Sequence, residues 1–203
     1  MSPRAQDATL IGILERLAET PRPDQFLRRT HGEWTALSTG EFLTRVRRLA
    51  AFLIEFGIEP GDRIALLAEN RPEWTIADFA ILSTGAVTVP IFTTLSPPQI
   101  GNLIRHSGSR IVLTSGGTLL ERLREAVGLL DRDMRVLIFD PPAGADASAS
   151  AESARAGSKT HRIEEASLEE AYEHGESVLR LRPDSVERRA SAVMLNWVPP
   201  PLS

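Results

Sequence analysis

The N-terminal fifth of the chain shows a helical pattern followed by a hairpin pattern of apolar residues. The spacing i, i+3, i+4 and i+7 predicts an amphipathic helix over residues 9–19, ended before Pro21. Two short apolar stretches, Phe26–Leu27 and Trp34–Thr35, flank a turn at residues 30–32 and predict a β-hairpin. The apolar positions that define the helix are Leu10, Ile13, Leu14 and Leu17.

A second helix is marked by the chemistry of its first turn. Ser38 and Glu41 have the spacing of a capping box, while Leu37 and Phe42 occupy the positions of a hydrophobic staple. The helix is therefore predicted to begin at Thr39. The residues that mark its buried face are Phe42, Val46, Leu49, Leu53 and Phe56.

This helix is predicted to end at a glycine. Gly57 lies where a left-handed C-terminal cap would fall, and Pro60, Gly61 and Asp62 form a turn sequence behind it. We therefore expect the chain to leave the helix sharply and to enter the next element near residue 64.

Four apolar strand patterns then follow at a nearly constant interval, starting at residues 64, 87, 111 and 136. Helical patterns over residues 73–84, 97–106 and 118–130 separate them, the middle one opened by a second capping box from Ser96 and Gln99. This alternation predicts an α/β fold with a mostly parallel sheet flanked by helices. The predicted strands are Ile64–Ala68, Val87–Ile91, Ile111–Thr114 and Val136–Phe139.

The composition changes after Asp140. Residues 141–162 are rich in Ala, Ser and Gly and predict an exposed low-complexity loop. A short helix over Ser167–His174 and an irregular tail, which contains three consecutive prolines, are expected after it. The predicted organisation is thus an α/β portion over residues 1–140, the loop, and a short helical and irregular segment over 163–203.

Composition excludes several classes of function. The chain has 203 residues, 42% of them hydrophobic, a net charge of −4 and no cysteine. Disulfides and thiol catalysis are excluded, and the acidic balance disfavours nucleic acid as a partner. Since no apolar run reaches about 18 residues and the start lacks the apolar stretch of a signal peptide, we expect a cytoplasmic protein without a transmembrane segment.

One loop has the small residues of a phosphate-binding turn. Thr114–Thr118 lies between a predicted strand and a predicted helix, where backbone N–H groups can hold a phosphate. It lacks the lysine of a P-loop and the spacing of a dinucleotide motif. A plain strand-to-helix turn is the favoured interpretation.

The other candidate residues also have structural interpretations. None of the histidines has metal-ligand spacing, and a surface position is favoured for each: His31, His106, His161 and His174. A basic cluster in the second helix is interpreted as a solvated face, with a lipid surface or a cofactor phosphate as the alternative: Arg45, Arg47 and Arg48. Trp34 and Trp74 are interpreted as packing residues rather than as a ligand surface.

Several motifs in fixed order carry a resemblance to a known family. They are the segment Gly61–Trp74, then Ala77–Asp78, Gly85–Ile91, Thr93–Pro97 and Ser107–Arg110. Together they closely resemble the N-terminal region of AMP-forming acyl-CoA synthetases, and most of all the long-chain fatty acid:CoA ligases. The similarity runs from about Trp34 to about Pro183.

The resemblance implies a ligase that converts a fatty acid to an acyl-adenylate with ATP and Mg²⁺, and then transfers the acyl group to CoA. It also leaves a peripheral contact with a membrane open. None of the matched motifs contains a catalytic, cofactor-binding or metal-binding residue of the family, so no site residue is predicted.

The sequence departs from the family where catalysis would begin. Glu187–Ala190 stands where the family's phosphate loop should start, and Lys159, the only lysine, lies in the low-complexity loop. We therefore expect an N-terminal fragment that is inactive alone. The alternatives are a non-catalytic module that binds a partner and a small nucleotide-binding domain built on Thr114–Thr118.

Overall fold

The computed structural model describes residues 10–30, 33–141 and 163–189. Its helices are α1 (Leu10–Glu19), α2 (Thr39–Glu55), α3 (Pro72–Ser83), α4 (Pro97–Ser107), α5 (Thr118–Gly128) and α6 (Leu168–Leu181). Its strands are β1 (Phe26–Thr30), β2 (Glu33–Leu37), β3 (Arg63–Leu67), β4 (Val87–Pro90), β5 (Ile111–Thr114), β6 (Met134–Ile138) and β7 (Ile163–Ser167).

Five strands form one parallel sheet in the order β4-β3-β5-β6-β7, and β1 and β2 form a separate antiparallel hairpin. Helix α3 connects β3 to β4, α4 connects β4 to β5, and α5 connects β5 to β6. The predicted parallel sheet flanked by helices is therefore confirmed, as is the predicted hairpin.

The sheet has a hydrophobic core on each face because its strand residues alternate between the two sides. Ile64 and Leu66 of β3 lie in one core with residues of α2, α3 and α6. Ala65 and Leu67, the intervening residues of the same strand, lie in the other core with residues of α4 and α5. Since β3 is buried on both faces, its sequence is a continuous apolar run rather than an alternating one.

Local side-chain chemistry fixes both ends of α2 as the sequence predicts. The Ser38 Oγ accepts from the Glu41 backbone N–H at 3.2 Å, and the Glu41 carboxylate accepts from the Ser38 backbone N–H at 3.1 Å. At the other end Gly57 has φ +84°, and its N–H donates to Ile54 O at 3.0 Å. The N–H of Ile58 donates to the Leu53 carbonyl at 3.0 Å, which completes a Schellman motif.

The segment after the low-complexity loop differs from the prediction. Strand β7 was not predicted, and α6 extends to Leu181 rather than ending at His174. Strand β7 extends the five-stranded sheet by pairing with β6. The predicted loop lies outside the described residues from 142 onward, and the three-part division of the chain stays a prediction.

Charged side chains explain why a polar sequence, IEEAS, forms β7. Glu165 accepts two hydrogen bonds from the Arg124 guanidinium of α5, at 2.7 and 2.6 Å. Glu164 pairs at 2.9 Å with Arg135, its neighbour across the strand pair. Ion pairs to neighbouring elements therefore accompany strand formation where the apolar pattern is weak.

Helices α2 and α6 pack closely at a glycine. A Cβ added to Gly175 would lie 1.9 Å from the backbone oxygen of Arg48, which is far inside van der Waals contact. The side chain of Arg48 also pairs with Glu176 at 2.5 Å. Only glycine permits this approach, so residue 175 sets the distance between α2 and α6.

Replacement of this glycine tests the close packing. The variant Gly175→Ala is expected to lower the free energy of unfolding by about 1–3 kcal/mol, because the added methyl group forces the two helices apart. Gly40→Ala is the control, since an added Cβ meets nothing within 4 Å there. The control should leave stability unchanged or raise it by up to about 1 kcal/mol. Urea denaturation followed by circular dichroism measures both, and equal stabilities would contradict the packing.

Candidate functional site

The carboxyl ends of β3, β5 and β6 bring several polar residues to one edge of the sheet. The order in which strands are added to the sheet reverses here. Helix α3 connects β3 to β4 on one side of β3, and α4 then connects β4 to β5 on the other side. Ligands of open α/β folds bind at such a reversal. The residues that follow the strands at this edge are Glu69 and Arg71 after β3, Ser115 and Gly116 after β5, and Asp140 after β6.

The candidate phosphate turn Thr114–Thr118 lies at this edge, but other residues already pack against it. Thr114 and Ser115 are buried, and the Ser115 hydroxyl donates to the Glu69 carboxylate. A Cβ added to Gly116 would lie 2.1 Å from the backbone oxygen of Asp140. The turn is thus enclosed by two acidic residues.

This environment does not fit a nucleotide phosphate. The Glu69 carboxylate, which accepts from the Ser115 hydroxyl, repels an anion. The backbone oxygen of Asp140 occupies the space beside Gly116. The geometry favours the plain strand-to-helix turn.

Four charged side chains form a network beside this turn. Arg71 donates from Nε to Glu73 at 2.7 Å and from its two terminal nitrogens to the Asp140 carboxylate, one of them at 2.9 Å. Arg28 of the hairpin donates to Glu73 at 2.8 Å and lies 3.7 Å from Asp140. The network therefore joins β1, the start of α3 and the end of β6.

The network shifts the pKa values of its members. The hydrogen bonds to Asp140 raise the pKa of Arg71 despite burial, and those from Arg71 lower the pKa of Asp140. Burial alone would raise the pKa of Glu73, but hydrogen bonds from Arg71 and the nearby guanidinium charges outweigh it and lower the pKa. Each of the three nitrogens of the Arg71 guanidinium thus donates to a protein carboxylate.

Sequence reasoning did not single out these charged residues. The available signal was their position, since Glu69 and Asp140 come directly after strands of a predicted parallel sheet. The carboxyl ends of parallel strands share an edge, and this rule would have placed the two acids near each other and near Thr114–Thr118. The contribution of Arg28 had no such signal, because a hairpin's docking position is not encoded locally.

The basic cluster on α2 is engaged with α6 and the residues after it. Arg47 pairs with Glu187 at 2.6 Å, and Arg48 pairs with Glu176 at 2.5 Å. These contacts favour an intramolecular role over a lipid or phosphate contact for the cluster. Arg45 completes the cluster and is half-buried.

The histidines and tryptophans lie in varied settings. His106 is exposed, and the His174 ring meets the Phe52 ring edge-on at 5.6 Å. Trp74 packs against the core, whereas Trp34 is exposed and does not behave as the packing residue expected. His31, His161 and Lys159 lie outside the described residues. Among residues 10–30, 33–141 and 163–189 no three acidic or histidine side chains cluster as a metal site would require.

A cavity of about 400 Å³ opens at the opposite, amino edge of the sheet. Three guanidinium and three carboxylate side chains line it, with the Phe56 ring as one wall. Arg135 lies 3.7 Å over that ring and also pairs with Glu164. Charges of both signs balance here, so the cavity has no evident preference for a ligand.

Comparison with known proteins identifies the fold family. A family model described as AMP-binding enzyme matches residues 14–186. The chain belongs to the AMP-binding enzyme family. The matched range includes the five-stranded sheet, the hairpin and α6.

Curated relatives of this chain include two proteins named as CoA ligases or synthases. The long-chain-fatty-acid–CoA ligase FadD15 of Mycobacterium bovis is 31% identical over 134 residues, which is 64% of this chain and 22% of the relative. A feruloyl-CoA synthase of Amycolatopsis is 38% identical over 79 residues, 39% of this chain and 16% of the relative. The match thus spans less than a quarter of the length of either relative.

Solved structures show the same fold. A benzoate CoA ligase from Burkholderia xenovorans superposes with a TM-score of 0.54 at 26% identity, covering 64% of this chain and 26% of that one. A putative long-chain-fatty-acid CoA ligase from Rhodopseudomonas palustris gives a TM-score of 0.57 at 19% identity, covering 80% and 36%. The second likeness shows the fold alone.

Within residues 10–30, 33–141 and 163–189, every helix is too short or too polar to cross a bilayer.

The charge network at the carboxyl edge predicts an acid-dependent contribution to stability. Glu73 has a side chain only 11% exposed and a lowered pKa in the folded state, so its contribution is present above the unfolded value of 4.5 and is lost as the pH falls through the folded pKa. The variant Glu73→Gln is expected to lower the free energy of unfolding at neutral pH by about 1–3 kcal/mol.

The pH dependence separates this network from simple packing. The difference between the wild type and Glu73→Gln should shrink as the pH falls below 4.5. The wild-type carboxylate is protonated first in the unfolded state and then, at its lowered pKa, in the folded state, where it becomes neutral like the glutamine. Glu125→Gln, a change at an exposed position of α5, is the control and should have little effect. Urea denaturation over a pH series measures the three proteins, and a difference that is constant with pH would contradict the account.

Proposed function

We propose that this chain supplies the N-terminal α/β scaffold of a long-chain fatty acid:CoA ligase of the AMP-forming type. The observation that carries the proposal is the family match over residues 14–186, supported by a long-chain-fatty-acid–CoA ligase among the relatives. The ordered motifs from Gly61 to Arg110 point to the same class of enzyme. A long-chain fatty acid is accordingly the proposed substrate.

Such a ligase uses ATP, CoA and Mg²⁺, which supply the adenylate, the acceptor thiol and charge neutralisation. The described residues of this chain do not fit these ligands. Glu69 and Asp140 enclose the candidate phosphate turn, and each nitrogen of the Arg71 guanidinium already donates to a carboxylate. We therefore assign the chain a structural part in the reaction and propose that alone it forms no acyl-CoA.

The residues that stand where the family's phosphate loop should begin support the same proposal. Residues 185–189 are helical rather than an open loop. Val186 is buried in the core beside α2 and α6, and Glu187 pairs with Arg47 of α2. The Ser185 N–H donates to Arg182 O at 3.1 Å and the Arg188 N–H donates to Asp184 O at 2.9 Å, so these two backbone donors are already bonded within the chain.

A second candidate is a non-catalytic module that binds a protein partner. The observation that favours it is the coverage of both sheet faces by helices, because a chain with two closed cores has the means to fold by itself. The small nucleotide-binding domain is not favoured, because the Glu69 carboxylate at the Ser115 hydroxyl would repel a phosphate.

We place the protein in the cytoplasm, with a peripheral contact at a membrane surface as part of the proposal. A long-chain fatty acid partitions into bilayers, so an enzyme that uses it gains substrate at the lipid surface. No nucleic acid is expected as a partner, given the net charge of −4.

Assays of the purified chain distinguish these functions. With palmitate, ATP, CoA and Mg²⁺ the chain is expected to give no acyl-CoA, and calorimetry is expected to detect no saturable ATP binding. Saturable ATP binding would favour the nucleotide-binding alternative, and acyl-CoA formation would contradict the proposed structural role.

A graft tests the ligase scaffold directly. Residues 14–186 would replace the aligned segment of the Mycobacterium bovis ligase, and the parent ligase would be the control. We expect measurable acyl-CoA formation from a long-chain fatty acid, because the sheet and its carboxyl edge would be retained. A graft that folds like the parent but forms no acyl-CoA would contradict the scaffold proposal.

A further inference from the structure

The face of the β1–β2 hairpin that holds Phe26 and Arg28 packs on the rest of the protein. On this inner face the Phe26 ring lies 5.0 Å from the Phe42 ring of α2, and Arg28 pairs with the carboxylate of α3 described above. Its outer face holds Leu27 and Trp34, which are 57% and 66% exposed. The side chains of Leu27 and Trp34 thus face solvent on a hairpin that is packed against α2 and α3.

The strand register places these two side chains together. Leu27 lies opposite Ala36, and Arg29 lies opposite Trp34. Because alternate residues of a strand share a face, Leu27 and Trp34 are diagonal neighbours on one surface, within reach of each other's side chains. The other large exposed apolar residues in the described ranges lie on separate elements or at opposite ends of β4: Val87, Phe92, Leu103, Leu129 and Leu181.

We propose that this outer hairpin face, defined by Leu27, Trp34 and Ala36, is a contact site for a lipid bilayer surface. Its size argues for a lipid partner over a second copy of the chain. One tryptophan and one leucine offer at most roughly 300 Å², whereas a stable protein interface needs about 800 Å² from each partner. A bilayer requires no such area, since a few side chains that insert at the headgroup level are sufficient for weak, reversible binding.

The residue types fit the boundary between headgroups and acyl chains. Tryptophan favours this position because its ring is apolar and its N–H can bond to water or to a headgroup. Glu33, which precedes Trp34 in β2, carries a negative charge that opposes anionic headgroups, so binding depends on the two apolar side chains. The inference rests on the proposed function, in which the fatty acid substrate resides in the membrane.

Vesicle flotation of the full chain tests the site. The probe is a vesicle of phosphatidylcholine and phosphatidylglycerol in equal parts, and flotation separates bound protein from aggregates, which sediment. The double variant Leu27→Ser, Trp34→Ser is expected to lower the partition coefficient about tenfold or more, because the burial of its two large side chains is lost. The matched control Phe92→Ser removes a residue that is 77% exposed on another element and should bind as the wild type does.

Four results would overturn the proposal. They are a wild type that does not float, a double variant that floats equally well, a control that loses binding to the same extent, and dimerisation of the wild type that the double variant abolishes. Circular dichroism of each variant confirms that its fold is retained. Flotation requires no catalysis, so its failure leaves the scaffold proposal intact, and failure of the graft leaves the flotation result intact.

Discussion

The position of β3 between β4 and β5 is the constraint on which the rest of the structure depends. Its backbone pairs in register with both neighbours, and its side chains enter the two cores alternately. A strand placed in this way requires helices on both faces. Helix α3 covers one face on the way from β3 to β4, and α4 covers the other face on the way back from β4 to β5. The same reversal puts the ends of β3, β5 and β6 beside one another. The charged cluster at the carboxyl edge is therefore a consequence of topology, and its internal pairing favours a structural role for this edge over phosphate binding.

Local chemistry made much of this fold predictable from the sequence. The capping box at Ser38 has both predicted reciprocal hydrogen bonds, and at Ser96 the backbone N–H donates to the Gln99 side-chain oxygen at 2.9 Å. The buried strands were predicted to within about two residues because strands buried on both faces need continuous apolar runs. These features depend on residues close together in the sequence, which is why they can be read without a structure.

Features that depend on distant partners were not predictable. Strand β7 has two adjacent glutamates and no apolar run, and its ion pairs with Arg124 and Arg135 become visible only once the sheet is assembled. The network around Arg71 joins residues from positions 28 to 140, and the exposed face of Trp34 follows from which side of the hairpin meets α2. In each case the decisive partner lies 16 or more residues away, beyond the range of any local pattern.

Hydrogen exchange is the most direct test of the claim that one sheet built around β3 unites the described residues. The slowest amides should be those of β3 and β5, and amides in the middle of α6 should exchange with nearly the same free energy, because Gly175 and the ion pairs hold this helix on α2. If the amides of β7 and α6 instead exchange at much lower free energies than those of β3, the segment after residue 162 is a separate unit and the account is contradicted.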